Sequence, residues 1–116
     1  MRRLPIYLLL DTSGSMSGEP IEAVRNGVQT LVAALRSDPY DLEEAHLSII
    51  KFDSTAQQIV PLTELAAFQQ PRIEAGGCTA LGGALSLLAS TIDREIIQTS
   101  AQRKGDWLPL VFIMTD

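Results

Sequence analysis

Hydrophobic and polar positions alternate in blocks along this chain rather than residue by residue. Ile6 to Leu10 is continuously apolar. A run that short suits a strand covered on both faces, as in a parallel sheet. Pro5 stands at its start, where a missing N–H is tolerated. A polar turn follows, Asp11-Thr12-Ser13-Gly14-Ser15-Met16-Ser17-Gly18, and Glu19-Pro20 then opens a helix. Ile21, Val24, Val28, Leu31, Val32 and Leu35 recur every three to four residues, which gives that helix one apolar face. Asp38-Pro39 ends it.

Leu47 to Phe52 reads as a second strand, Asp53-Ser54 as a turn, and Gln57 to Val60 as a short antiparallel third strand. Thr63 is placed to cap a short helix over Glu64 to Phe68. Pro71 to Thr79 reads as loop, with Gly76-Gly77 at its tip. Leu81, Ala84, Leu85, Leu88 and Ile92 mark a second long helix whose first turn holds Gly82 and Gly83, which allow close backbone approach. Lys104-Gly105-Asp106 is a turn. Leu108 to Met114 is a further apolar strand, and Asp116 is the last residue. The order strand, helix, strand pair, helix, strand predicts a three-layer α/β domain of Rossmann-like build, with a mainly parallel sheet and one antiparallel edge strand. The expectation is a single domain over residues 1–116. A strand ending in Thr115-Asp116 ordinarily feeds another loop and helix, so that domain is expected to be partial, with its last strand an open sheet edge through which two copies can pair.

Composition narrows the function classes. The 116 residues are 46% hydrophobic and 20% charged with a net charge of −5, an ordinary globular profile. The acidic balance, with no cluster of Lys or Arg, points away from nucleic acid. No stretch approaches the ~20 apolar residues that span a bilayer. Arg2-Arg3 before an apolar run resembles a signal peptide, but the run is short, holds Pro5 and ends in Asp11 without a small-residue cleavage site. The single cysteine, Cys78, has no internal partner and suits a reducing compartment, so the expected location is cytoplasmic.

In open α/β sheets, ligands bind beyond the carboxyl ends of the strands. Three polar segments fall there: the turn carrying Asp11, Ser13 and Ser15, the loop around Thr79, and Asp116. Together they offer two carboxylates and three hydroxyls. Oxygen donors with so little charge suit Mg²⁺ or Mn²⁺ and, less specifically, Ca²⁺. Zinc is disfavoured, because His46 is the only histidine. Gly14 allows a tight backbone on which Ser13 and Ser15 point the same way. Asp11 can reach a cation directly or through water, and can orient the hydroxyls. Two acids leave a cation short of ligand charge, which an acidic side chain of a partner protein would complete.

Each of these residues has a plainer reading. Asp and Ser favour turns and helix caps, Thr79 alone suits an N-cap, and Asp116 alone is a surface acid. Asp53 reads as a turn residue and His46 as structural. Tyr40 and Trp107 read as packing or surface aromatics, and Cys78 as a small loop residue without a histidine base. Only the five positions taken together favour a metal.

Asp11-x-Ser13-x-Ser15, then Thr79 in Gly76-Gly77-Cys78-Thr79-Ala80-Leu81-Gly82, then Asp116 in Ile113-Met114-Thr115-Asp116, resembles the metal-ion-dependent adhesion site (MIDAS) of the von Willebrand factor A (vWA) family. The likeness covers the whole chain, but only the first part of a domain of that family. Cys78 is a departure, standing where Gly or Ser is more usual. Within the family, Leu9 to Met16, Asp38-Pro39-Tyr40, Val60 to Leu65 and Lys104 to Trp107 look most like bacterial tellurium-resistance proteins of the TerY type. That resemblance implies a non-enzymatic cytoplasmic protein of a tellurite and stress-resistance system, binding a protein partner through a divalent cation, with Asp11, Ser13, Ser15, Thr79 and Asp116 as its ligand set. The alternative is a phosphatase-like phosphoryl-transfer enzyme with Asp11 as nucleophile and Thr115 near the phosphate. Ser13 stands where such an enzyme needs a second Asp. A serine hydrolase is disfavoured, as no Gly-x-Ser-x-Gly elbow exists.

Overall fold

The structure, a computed structural model, describes residues 2–76, 81–97 and 105–115. The apolar run becomes strand β1 (Leu4–Asp11), buried along its length from Pro5 onward. A 3-10 turn over Gly14–Met16 leads to helix α1 (Glu19–Ser37). Gly18 stands between them with φ +84°, a conformation in which side chains are strained, so this junction favours glycine. Asp38 ends α1 and at once caps a short helix, α2 (Pro39–Glu44), by accepting hydrogen bonds from Tyr40 N–H and Asp41 N–H. Such a cap contributes about 1 kcal/mol. Next come β2 (Ala45–Phe52), β3 (Ala56–Glu64), α3 (Leu81–Glu95) and β4 (Leu110–Met114).

The four strands lie in the order β3-β2-β1-β4. β1 is parallel to both β2 and β4, and β2 is antiparallel to β3. Alternation along β1 divides the core between the two faces of the sheet. Ile6, Leu8 and Leu10 pack with Ile21, Val24, Val28 and Val32 of α1. Tyr7 and Leu9 pack with Ala84 and Leu88 of α3. The expected three-layer α/β arrangement is therefore present, with the mainly parallel sheet between α1 and α3.

Several boundaries differ from expectation. The helix α2 replaces a simple chain stop after Asp38, because Pro39 both ends α1 and suits the first turn of the next helix. β3 is longer than its apolar run and continues through Thr63, whose hydroxyl donates to Pro61 O rather than capping a helix. Only a 3-10 turn over Leu65–Ala67 follows, with no side-chain cap at Glu64. Among the described residues no helix is long and apolar enough to cross a membrane.

β4 lies at the sheet edge, as expected, and is poorly covered. Leu110, Val111, Phe112 and Ile113 are each 40–46% exposed, and Leu108 just before the strand is 87% exposed. Met114, its last residue, packs towards α1 at Gly27.

The far end of the sheet, where β1 begins, is held by polar contacts. Glu95 at the end of α3 accepts hydrogen bonds from Tyr7 Oη (3.0 Å), Gln58 Nε2 (3.2 Å) and Leu62 N–H (3.2 Å). Arg3 pairs with Asp106, on the segment that leads into β4. These contacts satisfy groups that burial would otherwise penalise.

Candidate functional site

β1 ends in Asp11, which brings the first polar turn to the carboxyl edge of the sheet. Asp11, Thr12 and Ser13 are 1–3% exposed, whereas Ser15 is open to solvent. The Asp11 carboxylate organises the turn. Its Oδ1 accepts Ser13 N–H at 3.0 Å and the Ser13 hydroxyl at 2.6 Å. Its Oδ2 accepts the Thr115 hydroxyl at 2.5 Å. Burial pushes the Asp11 carboxyl up, but the Ser13 and Thr115 hydroxyls and the Ser13 N–H outweigh it and hold the group below the usual aspartate range.

Because the Ser13 hydroxyl donates to Asp11, its lone pairs are directed away from the carboxylate. The Ser15 hydroxyl lies 3.2 Å from it. Two neighbouring ligands of an octahedral Mg²⁺ stand about 3 Å apart when each lies ~2.1 Å from the ion. The Ser13–Ser15 spacing is close to that edge, so the pair fits two adjacent positions around a small divalent cation. The carboxylate offers about four lone-pair sites, and three donors among the described residues take all but one. Asp11 therefore acts first as the group that orients the hydroxyls.

The sequence-predicted residues Asp11, Ser13 and Ser15 come together in this way. Thr79 and Asp116, with Cys78 between the first two glycine-rich loop positions and Thr79, lie outside the described residues. The chain is nonetheless led towards the turn on both sides. Arg25 Nε donates to Ile73 O at 2.7 Å, tying the loop to α1, and Gly76 N–H donates to Thr12 O at 2.6 Å. The parallel pairing of Leu10 with Met114 sets the next residue, Thr115, beside Asp11. Among the described residues no three His, Cys, Asp or Glu side chains gather into a metal-binding group.

Two partners of the turn went unassigned in the sequence reading of the metal ligands. One is Thr115. The other is Asp53, whose Oδ2 accepts the Thr12 hydroxyl at 3.2 Å and stands 3.8 Å from Lys51 Nζ. Asp53 also accepts Thr55 N–H, the contact of a turn residue, so the turn reading holds while the side chain additionally braces Thr12. Its position beyond β2, next to β1, was the signal available. His46 sits at the other end of β2 with Nδ1 3.1 Å from Glu44 O.

The sequence profile of the von Willebrand factor type A domain matches residues 6–116. An uncharacterized protein of Synechocystis sp. is 34% identical over 122 residues, which cover 99% of this chain and 26% of that protein. The PilB minor pilin from Streptococcus sanguinis superposes with a TM-score of 0.73 at 14% identity, over 99% of this chain and 30% of its own. The SpRpn10 VWA domain superposes with a TM-score of 0.60 at 16% identity, over 80% and 52%. The chain thus spans about a quarter of the curated relative.

Proposed function

Since this chain belongs to the von Willebrand factor A family, whose members often mediate protein–protein interaction, we propose that it is a non-catalytic, metal-dependent protein-binding module. Its ligand set is Asp11, Ser13, Ser15, Thr79 and Asp116, for Mg²⁺ or alternatively Mn²⁺ or Ca²⁺. The observation that carries this reading is the pair of hydroxyl oxygens 3.2 Å apart, one of them oriented by the Asp11 carboxylate. A bound cation would supply an open coordination position for an acidic side chain of a partner protein. The exposure of Ser15 supports such a position at the surface, with the buried Asp11 and Ser13 beneath it. The cytoplasmic, tellurite and stress-resistance setting rests on the resemblance to TerY-type proteins and belongs to the same proposal.

A binding role is favoured over phosphoryl transfer by the surroundings of Asp11. Position 13 is a serine bound to the carboxylate, not a second acid. Among the described residues the one histidine lies at the opposite end of β2. Titration of Mg²⁺ and Mn²⁺ into chelator-stripped protein, followed by capture of an acidic partner, tests the proposal. One-site binding with capture lost in EDTA is expected. Capture unchanged in EDTA would overturn it, and metal-dependent hydrolysis of a generic phosphate ester would favour the enzyme.

A second reading concerns β4. An uncharged, half-exposed edge strand, LVFIM, paired with β1 on one side among the described residues, is a template for another strand. Two copies of this chain are expected to pair along it. Sedimentation should show an association that strengthens with concentration and that Val111→Lys with Ile113→Lys suppresses. A monomer at every concentration would refute the pairing.

A further inference from the structure

Thr115 belongs to neither the turn nor the expected ligand set, yet its hydroxyl donates to Asp11, 2.5 Å to Oδ2. Ser13 occupies only Oδ1. A carboxylate held through one oxygen still pivots about that oxygen. A second donor on the other oxygen fixes its plane, and with it the direction in which Ser13 presents its lone pairs. We infer that Thr115 is a positioning residue for the candidate cation site, a latch through which β4, seated in register on β1, sets the strength of cation binding.

The latch has a structural consequence. Thr115 is placed by the pairing of Leu10 with Met114, and β4 has β1 as its one strand neighbour in the sheet. Its side chains are mostly half-exposed, so little apolar packing holds it down. Displacement of β4 by one residue would turn each side chain to the opposite face and withdraw the hydroxyl from Asp11. Anything that steadies β4 would therefore tighten the site, and anything that loosens it would weaken the site from the side opposite the Gly76 loop. The contact reaches a buried carboxylate, where the other donors among the described residues come from Ser13.

This inference rests on the cation-binding reading for its consequence, but the latch itself is measurable without metal. Thr115→Val keeps the β-branched shape suited to a strand end and removes only the hydroxyl. Calorimetric titration is expected to show Mg²⁺ binding weakened about 10–100-fold in this variant, the range for losing a group that orients a ligand. Thr115→Ser, which keeps the donor, should bind as the unsubstituted protein does. A Thr115→Val protein that binds Mg²⁺ with unchanged affinity would overturn the inference. In parallel, a double-mutant cycle of Thr115→Val with Asp11→Ala, read by urea unfolding in chelator, should give non-additive effects. Additive effects would show that the two side chains do not interact and would sink the latch. Should the unsubstituted protein bind no Mg²⁺, the proposed function fails, while the cycle in chelator still decides whether Thr115 holds Asp11.

Discussion

Asp11→Ala is expected to abolish Mg²⁺ and Mn²⁺ binding and, with it, capture of an acidic partner. The substitution does more than delete one charge. It leaves Ser13 N–H and the Ser13 hydroxyl, in the buried part of the turn, and the hydroxyl of the exposed Thr115 without their shared acceptor. The Ser13 hydroxyl is then free to rotate, so the spacing to Ser15 is no longer held. Leaving buried donors unpaired costs about 1–3 kcal/mol each, so metal-free stability should fall by roughly 2 kcal/mol even if some donors reach water. Calorimetry and urea unfolding in chelator separate the two effects. Asp11→Asn keeps an acceptor and the shape, so it should recover most of the stability while leaving metal binding impaired. Because its hydroxyl and amide donors hold the Asp11 carboxyl below its usual range, the group stays ionised at neutral pH. Metal binding should be flat from neutral pH down to about 5 and decline only as the pH falls towards and below the ordinary aspartate value of about 3.9. A decline centred near neutral pH would mean that Asp11 is not the group that matters.

The architecture was legible because its signals were long and local. Five consecutive apolar residues in β1 announced a strand buried on both faces, and the three-to-four repeat from Ile21 to Leu35 announced α1. What the periodicity did not carry was anything set by hydrogen bonding across the sheet. β3 runs through Pro61 and Thr63 because pairing with β2 brings Thr63 opposite Leu47 and Glu64 opposite His46. A local cap propensity at Thr63 cannot compete with a ladder already laid down by Ala56 to Val60. Similarly, Asp38-Pro39 carries both a stop and a start. The reading of it as a stop alone missed that a capping Asp followed by Pro and an acidic first turn is equally the opening of α2.

For the candidate site, the motif Asp11-x-Ser13-x-Ser15 was readable because all three positions lie within one turn. Thr115 and Asp53 were not readable as partners of that turn. Each comes from a different strand, and only the register of β1 against β4 and of β1 against β2 brings them near. Sequence spacing holds no record of register, which is a property of the assembled sheet. Thr115 stands just beyond the end of β4, and its hydroxyl donates to Asp11.

At the opposite end of β1, Arg3→Ala is expected to cost about 3 kcal/mol, the range for removing one partner of a buried ion pair. Asp106 is 2% exposed in its side chain, and Arg3 meets it with both Nε at 2.9 Å and Nη2 at 2.6 Å. The same carboxylate accepts Ile97 N–H at 2.8 Å, while Arg3 Nη2 also donates to Glu95 O. One pair thus joins the start of β1, the end of α3 and the approach to β4. With the guanidinium gone, Asp106 keeps its charge inside the protein with backbone N–H groups, that of Ile97 among them, to offset it. For a domain near 100 residues, ~3 kcal/mol lowers Tm by on the order of 12 °C or more. The pH dependence distinguishes this from loss of packing. Burial pushes the Asp106 carboxyl up, but Arg3 and the Ile97 N–H outweigh it, so its pKa in the fold is lowered. A lowered carboxyl contributes stability that is present above the unfolded value of about 3.9 and is lost as the pH falls through the folded value. Asp106→Asn should therefore be destabilised most at neutral pH, and its deficit relative to the unsubstituted protein should shrink below about pH 4, where that protein loses the same contribution. A deficit constant from pH 7 to pH 3 would assign the effect to shape and hydrogen bonding rather than to the ion pair, and β4 would then be anchored by something other than charge.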